Sequence, residues 1–249
     1  MSAVLAGAAA IGLALGLFGA GGSILTVPLL VVGVGLPEKT AVASALAIVG
    51  AIAAFGALLQ ARRGRVVGRC ILAFGLPGMA GAALLGLASA WVPAGVQMLL
   101  FAAVTAAAAV QMLRGREPQP GEVEDWRPYR VAAAGFSVGG LTALIGVGGG
   151  FLLVPALLRF GRLTLPQAFG TSLALIAANA LTGLAGQLAS PAPLALDAHV
   201  IGPFIAVGVL GLISGQAVCD RLPRQHLRQG FVLLLLGVAG LVLWRAAAA

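Results

Sequence analysis

The sequence predicts an all-α integral membrane protein built from two inverted-topology repeats. Each repeat is a glycine-broken re-entrant or discontinuous helix plus three transmembrane helices. Three observations predict this. The 249-residue chain is 60% hydrophobic and 9% charged, with a mean hydropathy of +1.07, whereas a soluble domain carries about 25% charged residues. A ten-residue stretch, Gly19-Ala-Gly-Gly-Ser-Ile-Leu-Thr-Val-Pro28, returns 127 positions later as Gly146-Val-Gly-Gly-Gly-Phe-Leu-Leu-Val-Pro155. Basic residues also change loops between the two halves, as repeats of opposite orientation require.

The apolar runs are helical in length and lack the alternation of an outer-membrane strand. Eight segments lie at about 3–32, 42–60, 70–90, 95–113, 131–158, 168–189, 200–219 and 227–244. The first repeat is 1–113, the polar cytoplasmic linker 114–130 and the second repeat 131–249. The 127 offset runs without a gap from Gly12/Gly139 to Gln60/Gln187. The N-terminus lacks a positively charged stretch, so no cleaved signal peptide is expected.

Segments one and five are long, and each is broken by its glycine cluster. A helix-interior glycine costs about 1 kcal/mol relative to alanine, so three within four residues should stop the helix. Charge decides what the break does. With both broken segments folded back as hairpins, loops 61–69, 114–130, 159–162 and 220–228 share a side and carry 13 of the 15 basic residues. Only Lys39 and Arg245 fall opposite; if all eight segments cross, the split is 9 to 6. The hairpin topology obeys the positive-inside rule far better, leaving six full crossings and both termini outside the cytoplasm.

Broken helices at membrane depth must face protein or a cavity. Their first turns expose unpaired amides and a partial positive charge, which favour anions. The predicted substrate-binding residues are therefore Gly21, Gly22 and Ser23 in the first half and Gly148, Gly149 and Gly150 in the second, the two tips meeting near the midplane. Ser44, Gln60, Thr171, Ser172, Asn179 and Gln187 are further candidates, since uncharged donors suit an anion that must bind and leave. Interhelical hydrogen bonding is the alternative role for Ser, Thr and Asn. Gly12, Gly16, Gly208 and Gly211 read as close-packing glycines.

Every Asp and Glu falls in a loop or at a segment end, which disfavours a cation site. Cys70 and Cys219 have no CxxC spacing and read as ordinary thiols. His199 and His226 stand alone as interfacial residues. No metal site, cofactor, catalytic residue or nucleic-acid partner is predicted; the +8 charge sits in short loops that set topology. The expected partners are a small anionic substrate and the lipid bilayer, and a homodimer is left open.

The motifs Gly19–Pro28 with Ala41-Val-Ala-Ser-Ala-Leu46, repeated as Gly146–Pro155 with Ala168-Phe-Gly-Thr-Ser-Leu173, resemble the TauE/SafE family of membrane permeases. The resemblance spans almost the whole chain. It implies a bacterial inner-membrane secondary transporter exporting sulfite or an organosulfonate such as sulfoacetate. An uncoupled anion channel or uniporter, or an importer of another small organic anion, is the alternative. The first half departs from the second, with Ala43-Ser44-Ala45 where the second has Gly170-Thr171-Ser172, so the second-half residues carry more weight.

Overall fold

The computed structural model describes residues 2–20, 22–88, 91–114, 127–145, 150–188 and 197–248. Gly21, Gly148, Gly149, most of the linker and most of the 189–199 loop lie outside the described residues. Within them the chain is helical, with no strand: α1 (Ser2–Phe18), α2 (Gly22–Pro28) continuing as a π-helical stretch Leu29–Val34, α3 (Glu38–Arg62), α4 (Gly68–Ala88), α5 (Ala94–Arg114), α6 (Pro128–Ile145), α7 (Gly150–Arg159), α8 (Leu165–Leu188), α9 (Ala198–Arg221) and α10 (Arg224–Ala248).

The helix starts reproduce the repeat. Glu38 and Leu165 open α3 and α8 at the 127 offset, while Gly68/Ala198 and Ala94/Arg224 open α4/α9 and α5/α10 at an offset of 130. The added three residues fall in the loop before α9. Backbone detail repeats too. Gly35, with φ +79°, and Arg162, with φ +49°, occupy equivalent left-handed turns. Each is followed by a residue whose N–H closes the turn: Leu36 on the Leu30 carbonyl at 3.2 Å and Leu163 on the Leu157 carbonyl at 3.3 Å.

Five helical stretches among the described residues are long and apolar enough to cross a membrane: Lys39–Arg62, Gly68–Gly86, Gly95–Leu113, Leu165–Ala185 and His199–Arg221. The 25 residues of α10 span about 37 Å at 1.5 Å per residue, the length of a sixth crossing. Leu72, Leu76, Leu84, Leu99, Leu210 and Leu233 point outward, as a lipid-facing surface requires. This is a multi-pass membrane protein.

Two compact units are present, Met1–Val67 with Phe169–Arg221, and Gly68–Ala168 with Leu222–Ala249. Neither coincides with a sequence repeat; each draws helices from both halves. In the first unit α1 runs parallel to α9. Gly12 faces Gly208, Gly211 faces Ala9, and Gly16 meets the main chain of Gly215 and Gln216. The second unit pairs α6 with α4 in the same way, Gly139 facing Gly78 and Gly81 facing Phe136. At Gly12, Gly16, Gly211, Gly139 and Gly81 a Cβ would strike the partner's main chain, and at Gly208 it would strike the Ile52 side chain of α3, so the expected packing role of Gly12, Gly16, Gly208 and Gly211 is what the geometry shows. Close backbone approach of this kind replaces a hydrophobic driving force between helices in lipid.

Three contacts in the first unit fix the remaining directions there. Ile52 and Gly56 of α3 meet Gly208 and Leu212 of α9 in rising order, so these helices are parallel. Leu46, Gly50 and Gly56 of α3 meet Gly183, Ala180 and Leu173 of α8 in falling order, so this pair is antiparallel. Gly22 lies against Ile11 and Leu15, while Gly7 lies against Leu29. The legs α1 and α2 therefore form an antiparallel helical hairpin. Its legs of 17 residues and of 7 plus 6 residues span about 25 and 20 Å, short of the roughly 30 Å hydrocarbon core.

Candidate functional site

The tip of this hairpin is built by one glycine that must be glycine. Helix α1 ends at Phe18, and Gly19 follows with φ +61°, its N–H on the Leu15 carbonyl at 2.9 Å. That left-handed turn is the ordinary helix C-terminal stop, in which only glycine avoids a Cβ penalty. A Cβ at Gly19 would also lie 2.7 Å from the Cα and carbonyl oxygen of Phe169 and 2.8 Å from the Ser172 hydroxyl oxygen. The absent side chain lets α8 approach. The Ser172 hydroxyl lies 2.7 Å from the Gly19 carbonyl oxygen and 2.8 Å from the Phe169 carbonyl oxygen, within donating reach of either. Ser172 thus ties the break to α8 and is itself fully buried.

A second tether lies one residue back. The Val67 N–H donates to the Thr171 hydroxyl oxygen at 3.1 Å, and Thr171 is also fully buried. A Cβ at Gly170 would stand 2.7 Å from the Arg65 carbonyl oxygen and 3.1 Å from the Gln60 Cβ. The basic loop after α3 therefore folds against the start of α8. Gly64, at φ +68°, turns that loop, and the N–H groups of Arg63 and Arg65 both return to the Gln60 carbonyl oxygen, at 3.2 and 3.0 Å.

Arginines close this end. Arg63 and Arg65 each donate to a different oxygen of Asp220 at 2.6 Å, and Arg65 also reaches the Gln60 amide oxygen at 3.4 Å. Two guanidiniums against one carboxylate leave this end net positive. Near it sit the buried Gln60, Thr171, Ser172 and Gln216. No cluster of three or more His, Cys, Asp or Glu able to hold a metal occurs among the described residues.

The predicted site residues fall into distinct groups. Gln60, Thr171 and Ser172 gather near the first break, and Ser44 is buried on α3. Gly22 opens α2, but its Cβ direction meets Leu15 at 2.7 Å and Ile11 at 3.1 Å, so its missing side chain serves the hairpin's own packing. Ser23 lies in the first turn of α2. Gly150 opens α7 in the second unit and begins a wholly buried run to Leu157. Asn179 is exposed while Ser172 is buried, so these two do not share an environment; Gln187 is half-buried near the end of α8.

The depth differs from expectation. Gly19 meets Phe169, five residues into the 24-residue α8, and Gly16 meets Gln216, five residues before the end of α9. The first tip thus lies within about two turns of the arginine-lined end, not at the middle of the spans, because a 17-residue leg reaches about 25 Å. Sequence reasoning also missed Gly19 as a required contact, and it missed Arg63, Arg65, Asp220 and Gln216. The repeat could have singled out Gly19, since Gly146 matches it; nothing in the sequence links Arg65 to a carboxylate 155 residues away.

The sequence family described as Sulfite exporter TauE/SafE matches residues 4–242. The chain belongs to the TauE/SafE family. It is similar to two proteins of Xylella fastidiosa, each described as a probable membrane transporter protein. The one from strain 9a5c is 33% identical over 244 residues, covering 95% of this chain and 92% of the relative. The one from strain Temecula1 is 33% identical over 245 residues, with the same coverage. No solved structure matches. Membership of this family of membrane transporters accords with the multi-pass fold, and the resemblance carried by the glycine–proline motifs is confirmed.

Proposed function

We propose that this TauE/SafE protein is a secondary transporter of the bacterial inner membrane that exports a small sulfur-containing anion, sulfite or an organosulfonate such as sulfoacetate. One observation carries the reading: the helix break at Gly19 is tied to α8 by buried Ser172 beside an arginine-rich end. Backbone amides of the following first turn, neutral hydroxyls and carboxamides then receive the anion, and surplus guanidinium charge draws it in. The arginine-rich end carries loops 61–69 and 220–228, which the positive-inside rule assigns to the cytoplasm, the side an exported anion leaves from.

The two halves are inverted repeats in this reading, each with a re-entrant hairpin. The packing of α3 on α8 supports it. These helices are equivalent at the 127 offset yet antiparallel, and the contacts Leu46–Gly183 and Leu173–Gly56 are one contact seen from either half. An alternative, uncoupled anion conduction, draws support from the placement of every carboxylate in a loop or at a segment end.

Flux in proteoliposomes across a panel of oxyanions and sulfonates tests the function. Saturable movement of sulfite or sulfoacetate is expected, with no movement of cations. Currents far above carrier turnover would favour the channel, and no flux of any anion would refute the proposal. Single-cysteine labelling of residues in 61–69 and 220–228 in intact cells tests the topology; labelling from opposite faces would refute the inverted repeat.

A further inference from the structure

Gln216 is 2% exposed, and neither its amide nitrogen nor its amide oxygen has a hydrogen-bond partner among the described residues. Buried carboxamides are ordinarily satisfied, and an orphaned one calls for a missing partner. The register of the helices shows where it sits. On α9, Leu212 packs on Gly56 of α3 with a Cβ approach of 2.7 Å, and Leu173 of α8 stands 3.1 Å from the same point. One turn on, Gln216 follows Leu212 on the same helical face and Gln60 follows Gly56. The next turn carries the Arg63–Asp220–Arg65 cluster. From α1, the last turn before the break brings Gly16 to within 3.0 Å (at its Cβ position) of the Gln216 nitrogen of the main chain.

We propose that Gln216 is a ligand of the transported anion, its amide N–H donating to one oxygen and its amide oxygen accepting from a protonated one. This rests on the anion-transport reading above. The class that satisfies both atoms is a small oxyanion that keeps an acidic proton, such as hydrogensulfite. A fully ionised sulfonate satisfies the donor and leaves the acceptor to water. Gln216 therefore selects between the two kinds of substrate. Its counterpart at the 130 offset is Gly86, so this selection belongs to the first unit.

The test uses the full chain in proteoliposomes, with sulfite and sulfoacetate as probes, and melting of the detergent-solubilised protein as the check on folding. Gln216→Met keeps the shape and removes both polar atoms. Removing two unsatisfied buried atoms should leave the melting temperature equal or higher. The KM for sulfite should rise at least tenfold, and that for sulfoacetate by a smaller factor. Gln216→Asn, which keeps the amide but withdraws it, should fall between. If wild-type protein moves neither probe, the transport reading fails and takes this one with it. If wild type transports but Gln216→Met keeps its sulfite KM within twofold, or loses flux and melting temperature together while Gln216→Asn behaves as wild type, Gln216 is not a ligand although the transport reading stands.

Discussion

Substituting Gly12 by alanine puts one methyl group between α1 and α9. That Cβ would lie 2.7 Å from the Gly208 carbonyl carbon and 2.9 Å from its Cα. Carbon–carbon contacts settle at about 3.5–4.0 Å, so the two backbones must part by about 1 Å. No flexible side chain is present to yield, because both neighbours are main chain. Overpacking then sits at the upper end of its usual range, about 3 kcal/mol. The gain from replacing glycine by alanine in a helix offsets about 1 kcal/mol, leaving about 2 kcal/mol of destabilisation. At about 2–4 °C per kcal/mol for a chain of this size, the melting temperature should fall by about 4–8 °C. Gly237→Ala is the control, on α10 with nothing within 4 Å of its Cβ position; it should gain about 1 kcal/mol. Gly139→Ala, at the equivalent position in the second unit, should behave as Gly12→Ala does. Thermal melting of the purified protein in one detergent reads all three. If Gly12→Ala and Gly237→Ala shift the melting point alike, glycine is not what sets the α1–α9 distance.

Ser172→Ala releases the Gly19 carbonyl at a cost of about 1–1.5 kcal/mol; sulfite flux should fall about tenfold with membrane insertion unchanged, and unaltered flux would show that the tether does not hold the site. Asp220→Asn should change stability by less than about 1 kcal/mol, because the pair is partly exposed. It should also lower the sulfite KM several-fold at low salt, with the gain vanishing near 1 M salt where screening acts within about 3 Å; a raised KM would contradict an attracting positive end. Sulfoacetate flux should be flat between about pH 6 and 8 and indifferent to sodium, since that substrate stays ionised and no carboxylate is held mid-span; a steep pH dependence abolished at His199 or His226 would give those residues a role.

Apolar runs and glycine clusters made nearly all helices legible, since each run had to satisfy its own backbone in lipid. The break after Phe18 was legible for the same reason. Segment ends were drawn too short at both ends of α3, because Glu38 and Arg62 are polar yet continue the helix. The repeat was readable through Gln60 and then lost. Three extra residues before α9 shift the offset, and isolated glycines such as Gly81 and Gly211 match too easily by chance to be trusted without their contacts. Thr171 and Ser172 were found by type and position, but their partners, Val67 and Gly19, come from distant segments. Gln216 gave no warning, since a single glutamine in an apolar helix becomes informative only when its unpaired amide is seen.

The exchange of helices between the halves bears on how the protein is made. Helix α1 finds its glycine-matched partner in α9, about 200 residues later in the chain. During synthesis the first hairpin must therefore wait in the membrane, its small-residue face against lipid or an insertion factor, until most of the polypeptide has emerged. A chain stopped at the central linker leaves that face of α1 without the helix it packs on. Two halves made as separate polypeptides have a different fate, because each supplies the helices the other lacks.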